Sequence, residues 1–280
     1  MSTRHKQALA HLTFGLQESG GFVMLTGEVG TGKTTVSRKL MQDLSEDTQT
    51  ALILNPTLSA IELLATVCDE LGIEHRAKTS SLKVYADKIL QKLAENYEQG
   101  KNTILIIDEA QHLLPEVLEQ LRLLTNLETN REKLLKVVLI GQPELQVLLR
   151  RNELRQLAQR VTARYHLLPL TEEEMRQYVD HRLSVANLHQ SPFNKEALAQ
   201  LFSISGGIPR VVNLLCDRAL SVAYSLQRPF IDYQIITSAS FQVLGEDIVM
   251  QRQDSLWKRR YLIAFGVAVA LGLLIGGLNA

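Results

Sequence analysis

Apolar and polar positions switch between two periods over the first two-thirds of the chain. Short, nearly continuous apolar runs occur at 22–26 (FVMLT), 50–54 (TALIL), 103–107 (TILII) and 137–140 (VVLI), with a fifth candidate at 164–168. Runs of this length read as strands covered on both faces. Between them the apolar residues recur at helical spacing. Residues 5–18 place Leu9, Leu12 and Leu16 on one face, and 81–98 do the same with Leu82, Tyr85, Ile89 and Leu93. Further helices are expected over 35–44, 59–71 and 116–126. Ser59 and Glu62 have capping-box spacing, and Gly72 and Gly100 act as stops. Strands alternating with helices predict an α/β sandwich with a parallel sheet over residues 1–168.

After Pro169 the strand pattern ends. Thr171 and Glu174 form a second capping box, opening a helix to about Val185. Asn194 is expected to cap a helix to Phe202, Pro209 to open a third, and Asp232 to cap a fourth. Residues 169–245 therefore predict a small all-helical domain. A polar, then basic, linker follows over 246–260. Residues 261–278 (YLIAFGVAVALGLLIGGL) carry no charge over 18 positions and directly follow Lys258, Arg259 and Arg260. This predicts a single transmembrane helix, with the preceding domains on the cytoplasmic side. Ala264, Ala268, Gly272 and Gly276 recur every four residues there, a face on which two such helices could pack closely.

Composition adds limits. The 280 residues hold 30 basic and 30 acidic side chains. A net charge of zero exerts no global pull toward nucleic acid, which is not expected as a partner. Cys68 and Cys216 are the only cysteines and have no metal-ligand spacing, so both are expected to be reduced thiols. The N-terminus lacks the apolar core of a secretory signal.

The candidate chemistry starts at residues 27–35. Gly27, Glu28, Val29, Gly30, Thr31, Gly32, Lys33 and Thr34 fit the Walker A pattern G-x-x-x-x-G-K-[ST], and Thr35 continues into the helix. Its glycines allow backbone N–H groups to turn inward around phosphate oxygens. Lys33 is expected at the β- and γ-phosphates of ATP, and the Thr34 hydroxyl on Mg²⁺. The flanking strand and helix give the pattern its required context, and the helix N-terminus adds partial positive charge. Asp108 and Glu109 end the third apolar run. A parallel strand delivers its C-terminal end to the ligand crevice. Asp108 is expected to hold Mg²⁺ there, and Glu109 to polarise the attacking water. Gln142, just past the fourth run, can orient the same water. The segment 154–164 carries Arg155, Arg160 and Arg164. Arg160 or Arg164, with Arg160 preferred, is a candidate arginine finger for a neighbouring subunit. Arg210 follows Pro209 in a first helical turn, where a cation opposes the helix dipole and so wants an anionic partner. The γ-phosphate is the expected one.

These stretches together resemble the AAA+ ATPases, and more narrowly the ExeA/GspA family of general (type II) secretion. MshM-type proteins of pilus biogenesis are close to it. The resemblance rests on "GFVMLTGEVGTGKTT", "ILIIDEAQHL", "VVLIGQPEL", "LAQRVTARYHLLPL" and "SGGIPRVVNLLCDRAL", which run in the family's order from about residue 21 to 220. It implies a Walker B pair at Asp108 and Glu109, sensor 1 at or near Gln142, and sensor 2 at Arg210. It also implies a helical lid after Pro169, ring-forming homo-oligomers, an inner-membrane anchor and a B-type secretion partner. The family's peptidoglycan-binding periplasmic part lies beyond these residues, so that contact is expected only with such a domain. The chain also starts almost at the helix before the Walker A loop, which fits a fragment or one half of a split gene. Two other readings share the core: a DNA-handling regulator of the transposition type, and a nucleotide-gated scaffold with little turnover.

Overall fold

The computed structural model describes residues 1–17, 21–54, 56–75, 81–126, 133–188 and 190–245. The linker 246–260 and the uncharged stretch 261–278 lie outside the described residues. Among the described residues no helix is long and apolar enough to cross a membrane.

The chain divides into two compact units, Met1–Leu168 and Pro169 onward. In chain order the first contains α1 (Thr3–Gln17), β1 (Phe22–Gly27), α2 (Lys33–Asp43), β2 (Thr48–Ile53), α3 (Ala60–Glu70) and α4 (Leu82–Glu98). There follow β3 (Asn102–Ile107), α5 (Pro115–Leu124), β4 (Lys136–Gly141), α6 (Glu144–Leu148), α7 (Arg155–Gln159) and β5 (Val161–Leu167). The five strands form one parallel sheet in the order β2-β3-β4-β1-β5.

Alternation along the strands sorts side chains to the two faces. Ile104 and Ile106 of β3 join Val23, Leu25, Val138 and Ile140 under α1 and α2. Leu105 and Ile107 face the other way, with Met24, Val137 and Leu139, into a larger core shared with α3, α4 and α5. Burial on both faces is why β1, β3 and β4 read as unbroken apolar runs. The edge strand β5 differs. It starts three residues before the expected run, because Thr162, Arg164 and His166 alternate outward with inward Val161 and Leu167. Its other side meets α1 so closely that a Cβ on Gly15 would lie 2.4 Å from the Cβ of Ala163. The five-residue helices α6 and α7 are too short to leave a helical period and were not expected from the sequence.

The second unit contains α8 (Glu172–Val185), α9 (Lys195–Ser205), α10 (Pro209–Ser225) and α11 (Tyr233–Leu244) around a separate apolar core. Each expected cap is in place. Thr171 and Glu174 bond reciprocally, Asn194 accepts from the Ala197 N–H, and Asp232 accepts from the Ile235 N–H. Gly206 ends α9 in the left-handed conformation, and Gly207 packs against the Leu170 carbonyl before Pro209 starts α10.

Candidate functional site

The sheet order decides what can meet at its C-terminal edge. β4 lies between β1 and β3, so the loop after β1, the Asp-Glu pair after β3 and Gln142 after β4 emerge side by side.

The loop after β1 is a tight turn. Thr31 Oγ1 donates to the Glu28 carbonyl at 2.8 Å, and Gly30 and Gly32 take positive φ values of 81° and 101°. A Cβ on Gly27 would stand 2.7 Å from the Leu167 carbonyl oxygen, so the loop's first residue must also be small. α2 begins at Lys33 with Gly32 as its cap, and it has no side-chain cap hydrogen bond among the described residues. Its first-turn N–H groups and the positive end of the helix suit an anion. The Lys33 ammonium lies inside the turn, donating to the Gly27 and Glu28 carbonyls at 2.8 and 3.2 Å. Burial lowers its pKa, while Glu109, Asp108, Glu28 and Glu144 pull it back up.

Thr34 and Asp108, 74 residues apart, meet here: the threonine hydroxyl donates to Asp108 Oδ2 at 3.4 Å. Two hard oxygen donors converging beside a phosphate-suited loop fit Mg²⁺, which takes one or two protein oxygens and keeps waters. Burial pushes the Asp108 pKa up, and the Glu109 backbone N–H bonded to its Oδ1 at 2.9 Å opposes this. Glu109 behaves oppositely. A hydrogen bond from Gln111 leads the causes that lower its pKa, with Gln142, Lys33 and His112 adding to it against burial. A half-buried, ionised carboxylate held next to the loop is equipped to accept a proton from water.

The structure thus brings Lys33, Thr34, Asp108, Glu109 and Gln142 together. It separates the two arginine-finger candidates. Arg160 turns inward and donates to the Arg122 carbonyl at 3.1 Å and to Thr125 Oγ1 at 3.4 Å, closing the C-terminal end of α5. Arg164 donates to the Ala158 carbonyl at 2.5 Å and lines an open cleft of about 490 Å³ with Arg150, Arg155 and His166. In the second unit, Arg210 is exposed in the first turn of α10 and has no hydrogen bond or ion pair among the described residues of that unit.

Two residues of the site had no role assigned from the sequence, although Gln111 stands in the stretch ILIIDEAQHL. Gln111 links Glu109 to β4, donating to Glu109 Oε2 at 2.6 Å and accepting from the Gln142 N–H at 2.9 Å. His5, buried in the first turn of α1, braces the phosphate loop from behind, its Nε2 3.0 Å from the Thr31 carbonyl oxygen. A carbonyl only accepts, so that nitrogen carries the proton, and Nδ1 faces the Ser2 hydroxyl at 2.7 Å. The spacing Ser2-x-x-His5 was the available signal, and it reads as an ordinary first helical turn.

An AAA domain family model matches residues 16–149. The chain is 52% identical over 269 residues to general secretion pathway protein A of Aeromonas hydrophila, covering 96% of this chain and 48% of that protein. The chain thus spans about half the length of this curated relative. Cdc6p from Pyrobaculum aerophilum superposes with a TM-score of 0.66 at 18% identity, covering 86% of this chain and 68% of that one. The RuvB branch migration motor of Thermotoga maritima gives 0.56 at 19%, covering 89% and 71%. At such identities the structural likeness shows the fold alone. Over the part the two proteins share, the chain belongs to the family of general secretion pathway protein A, built on an AAA domain.

Proposed function

We propose that this chain is an AAA+ ATPase that binds ATP with Mg²⁺, hydrolyses it, and works in the assembly of a secretion or pilus apparatus from the inner face of a membrane. The observation that carries the catalytic part is the meeting of Thr34 with Asp108 beside the Lys33 ammonium. A fortuitous glycine-rich turn would have no reason to gather a hydroxyl, a carboxylate and a buried ammonium from two strands.

In this reading the loop N–H groups and Lys33 hold the phosphate chain. Thr34 and Asp108 hold Mg²⁺, which when bound neutralises charge on the phosphates. Glu109 takes a proton as water attacks the γ-phosphorus, and Gln142 orients that water. Arg164 is the better finger candidate, since it is exposed at an open cleft with one bond to the Ala158 carbonyl, while Arg160 is half-buried against α5. It would act on the nucleotide of a neighbouring copy in a homo-oligomeric ring. Arg210 is assigned the sensor role by family resemblance. Membrane attachment is supported by the uncharged stretch 261–278 behind three basic residues. The secretion role, and a B-type partner, are supported by the 52% identity to general secretion pathway protein A.

The test is phosphate release and nucleotide binding by the full chain in detergent or vesicles. Lys33→Ala is expected to abolish binding, and Glu109→Gln to bind ATP without turning it over. Equal turnover in the unaltered chain and both variants refutes the proposal.

A further inference from the structure

The carboxylate expected to act as base sits on an unusual backbone. Glu109 has φ 52°, a left-handed conformation that side chains other than glycine rarely adopt. Such conformations persist only where surrounding contacts enforce them, and they concentrate at functional sites. The enforcing contacts here are specific. Gln111 Nε2 and Gln142 Nε2 both donate to Glu109 Oε2, at 2.6 and 3.3 Å. The backbone N–H of Gln142 donates to Gln111 Oε1 at 2.9 Å. One carboxamide therefore donates to the end of β3 and accepts from the end of β4.

We propose that Gln111 is a positioning residue of the hydrolytic site, bridging β3 to β4 so that the Glu109 carboxylate and the Gln142 amide stand in one register. The proposal rests on the reading of Glu109 as the base.

Three further observations support it. Gln111 projects from a rigid turn, because its neighbours Ala110 and Leu113 are buried in the main core. The bridge also requires the glycine that precedes Gln142. A Cβ on Gly141 would stand 2.6 Å from Gln111 Oε1 and 3.2 Å from Leu145 Cδ2. Finally, the bonding pattern selects an atom. Oε2 of Glu109 carries both amide donors, while Oε1 has no hydrogen bond among the described residues. Oε1 is therefore the oxygen that accepts the proton. As the water oxygen forms its bond to the γ-phosphorus, the water proton passes to Oε1, and the bond to the β–γ bridging oxygen breaks to release ADP.

The chemistry also explains why this residue is a glutamine. A carboxamide supplies a donor and an acceptor from one planar, uncharged group. Glutamate would offer two acceptors and set a second negative charge against Glu109. Leucine would fill similar space and make neither bond.

The full chain is compared with Gln111→Leu and, as a near-isosteric second variant, Gln111→Glu. Steady-state phosphate release, binding of a fluorescent ATP analogue and thermal melting are measured on each. Both variants are expected to lose about 10- to 100-fold in kcat, the range a displacement near 1 Å produces, with nucleotide affinity kept within about twofold. In a Glu109→Gln background, Gln111→Leu is expected to change the residual rate by less than about twofold, since residues acting as a unit are not additive. A bridge that only stabilised the fold would lower the melting temperature and leave kcat of the folded fraction intact. Hydrolysis that survives both substitutions overturns the proposal alone. Binding of ATP with no hydrolysis by the unaltered chain overturns the proposal and the reading beneath it together.

Discussion

Two adjacent glycines in the second unit should respond very differently to alanine. Gly206 and Gly207 both have positive φ, 61° and 73°. An alanine at Gly206 meets nothing within 4 Å, so its cost is the left-handed backbone itself, about 1 kcal/mol. An alanine at Gly207 incurs the same cost and also places its Cβ 2.1 Å from the Leu170 carbonyl oxygen and 3.2 Å from Phe202 Cε2. The backbone must open by roughly 1 Å, a distortion of the kind that costs about 1–3 kcal/mol. Opening also strains the bond from the Leu170 N–H to the Gly207 carbonyl, 2.9 Å long between two buried residues. Losing it adds about 1–3 kcal/mol. Gly207→Ala is therefore expected to cost about 3–7 kcal/mol, a large part of a typical domain's stability. Urea denaturation followed by far-UV circular dichroism, with limited proteolysis to localise the loss to residues beyond Pro169, measures both variants. Equal costs within about 0.5 kcal/mol would show that the close approach to Leu170 does not constrain this unit. Because these glycines lead into Pro209 and Arg210, the result also reports how firmly Arg210 is aimed.

Three other outcomes are expected. His5→Ala removes the donor from a buried carbonyl behind the phosphate loop. It should weaken ATP binding about tenfold in a fluorescence titration, with His5→Gln recovering part of the loss; affinity within twofold of the unaltered chain would remove His5 from the site. Burial pushes the Cys68 thiol up to about 11 and Cys216 up to about 12, from 9.0. A raised folded-state pKa leaves stability intact below pH 9 and erodes it as pH rises toward 11 and 12, because only the unfolded thiols ionise in that window. The loss of stability between pH 8 and 10.5 should be shallower in a Cys68→Ala, Cys216→Ala double variant. Thr171→Ala breaks the capping box of α8 and should cost about 1 kcal/mol in denaturation, an effect absent from Thr171→Ser.

The phosphate loop was legible in the sequence because its chemistry is local: eight consecutive residues define it, and a strand and a helix flank it. Asp108 was legible because an unbroken apolar strand points to its own end. Gln111 was not. It lies two positions from Glu109, yet its meaning depends on Gln142, 31 residues further on, and on the sheet order that makes β3 and β4 neighbours. The choice between Arg160 and Arg164 was not legible for a related reason. Both lie beside a short strand, and only the packing shows that the first is tied to Arg122 and Thr125 at α5 while the second bonds the Ala158 carbonyl at the surface. The start of β5 was missed because an edge strand exposes alternate residues and lacks the apolar run that marks the interior strands.

The position of β1 within the sheet also has a consequence for biosynthesis. It is the first strand made, and all six of its residues are buried, yet its partners β4 and β5 are the last two made. Phe22 pairs with Val137, 115 positions later. At about 5–20 residues per second, the ribosome leaves this apolar strand without a neighbour on either side for roughly 6–23 s. The segment that will carry the phosphate loop is thus the strand that waits longest for a partner, since β2 finds β3 after only 54 positions. Nucleotide can join only after the sheet has closed around its oldest strand.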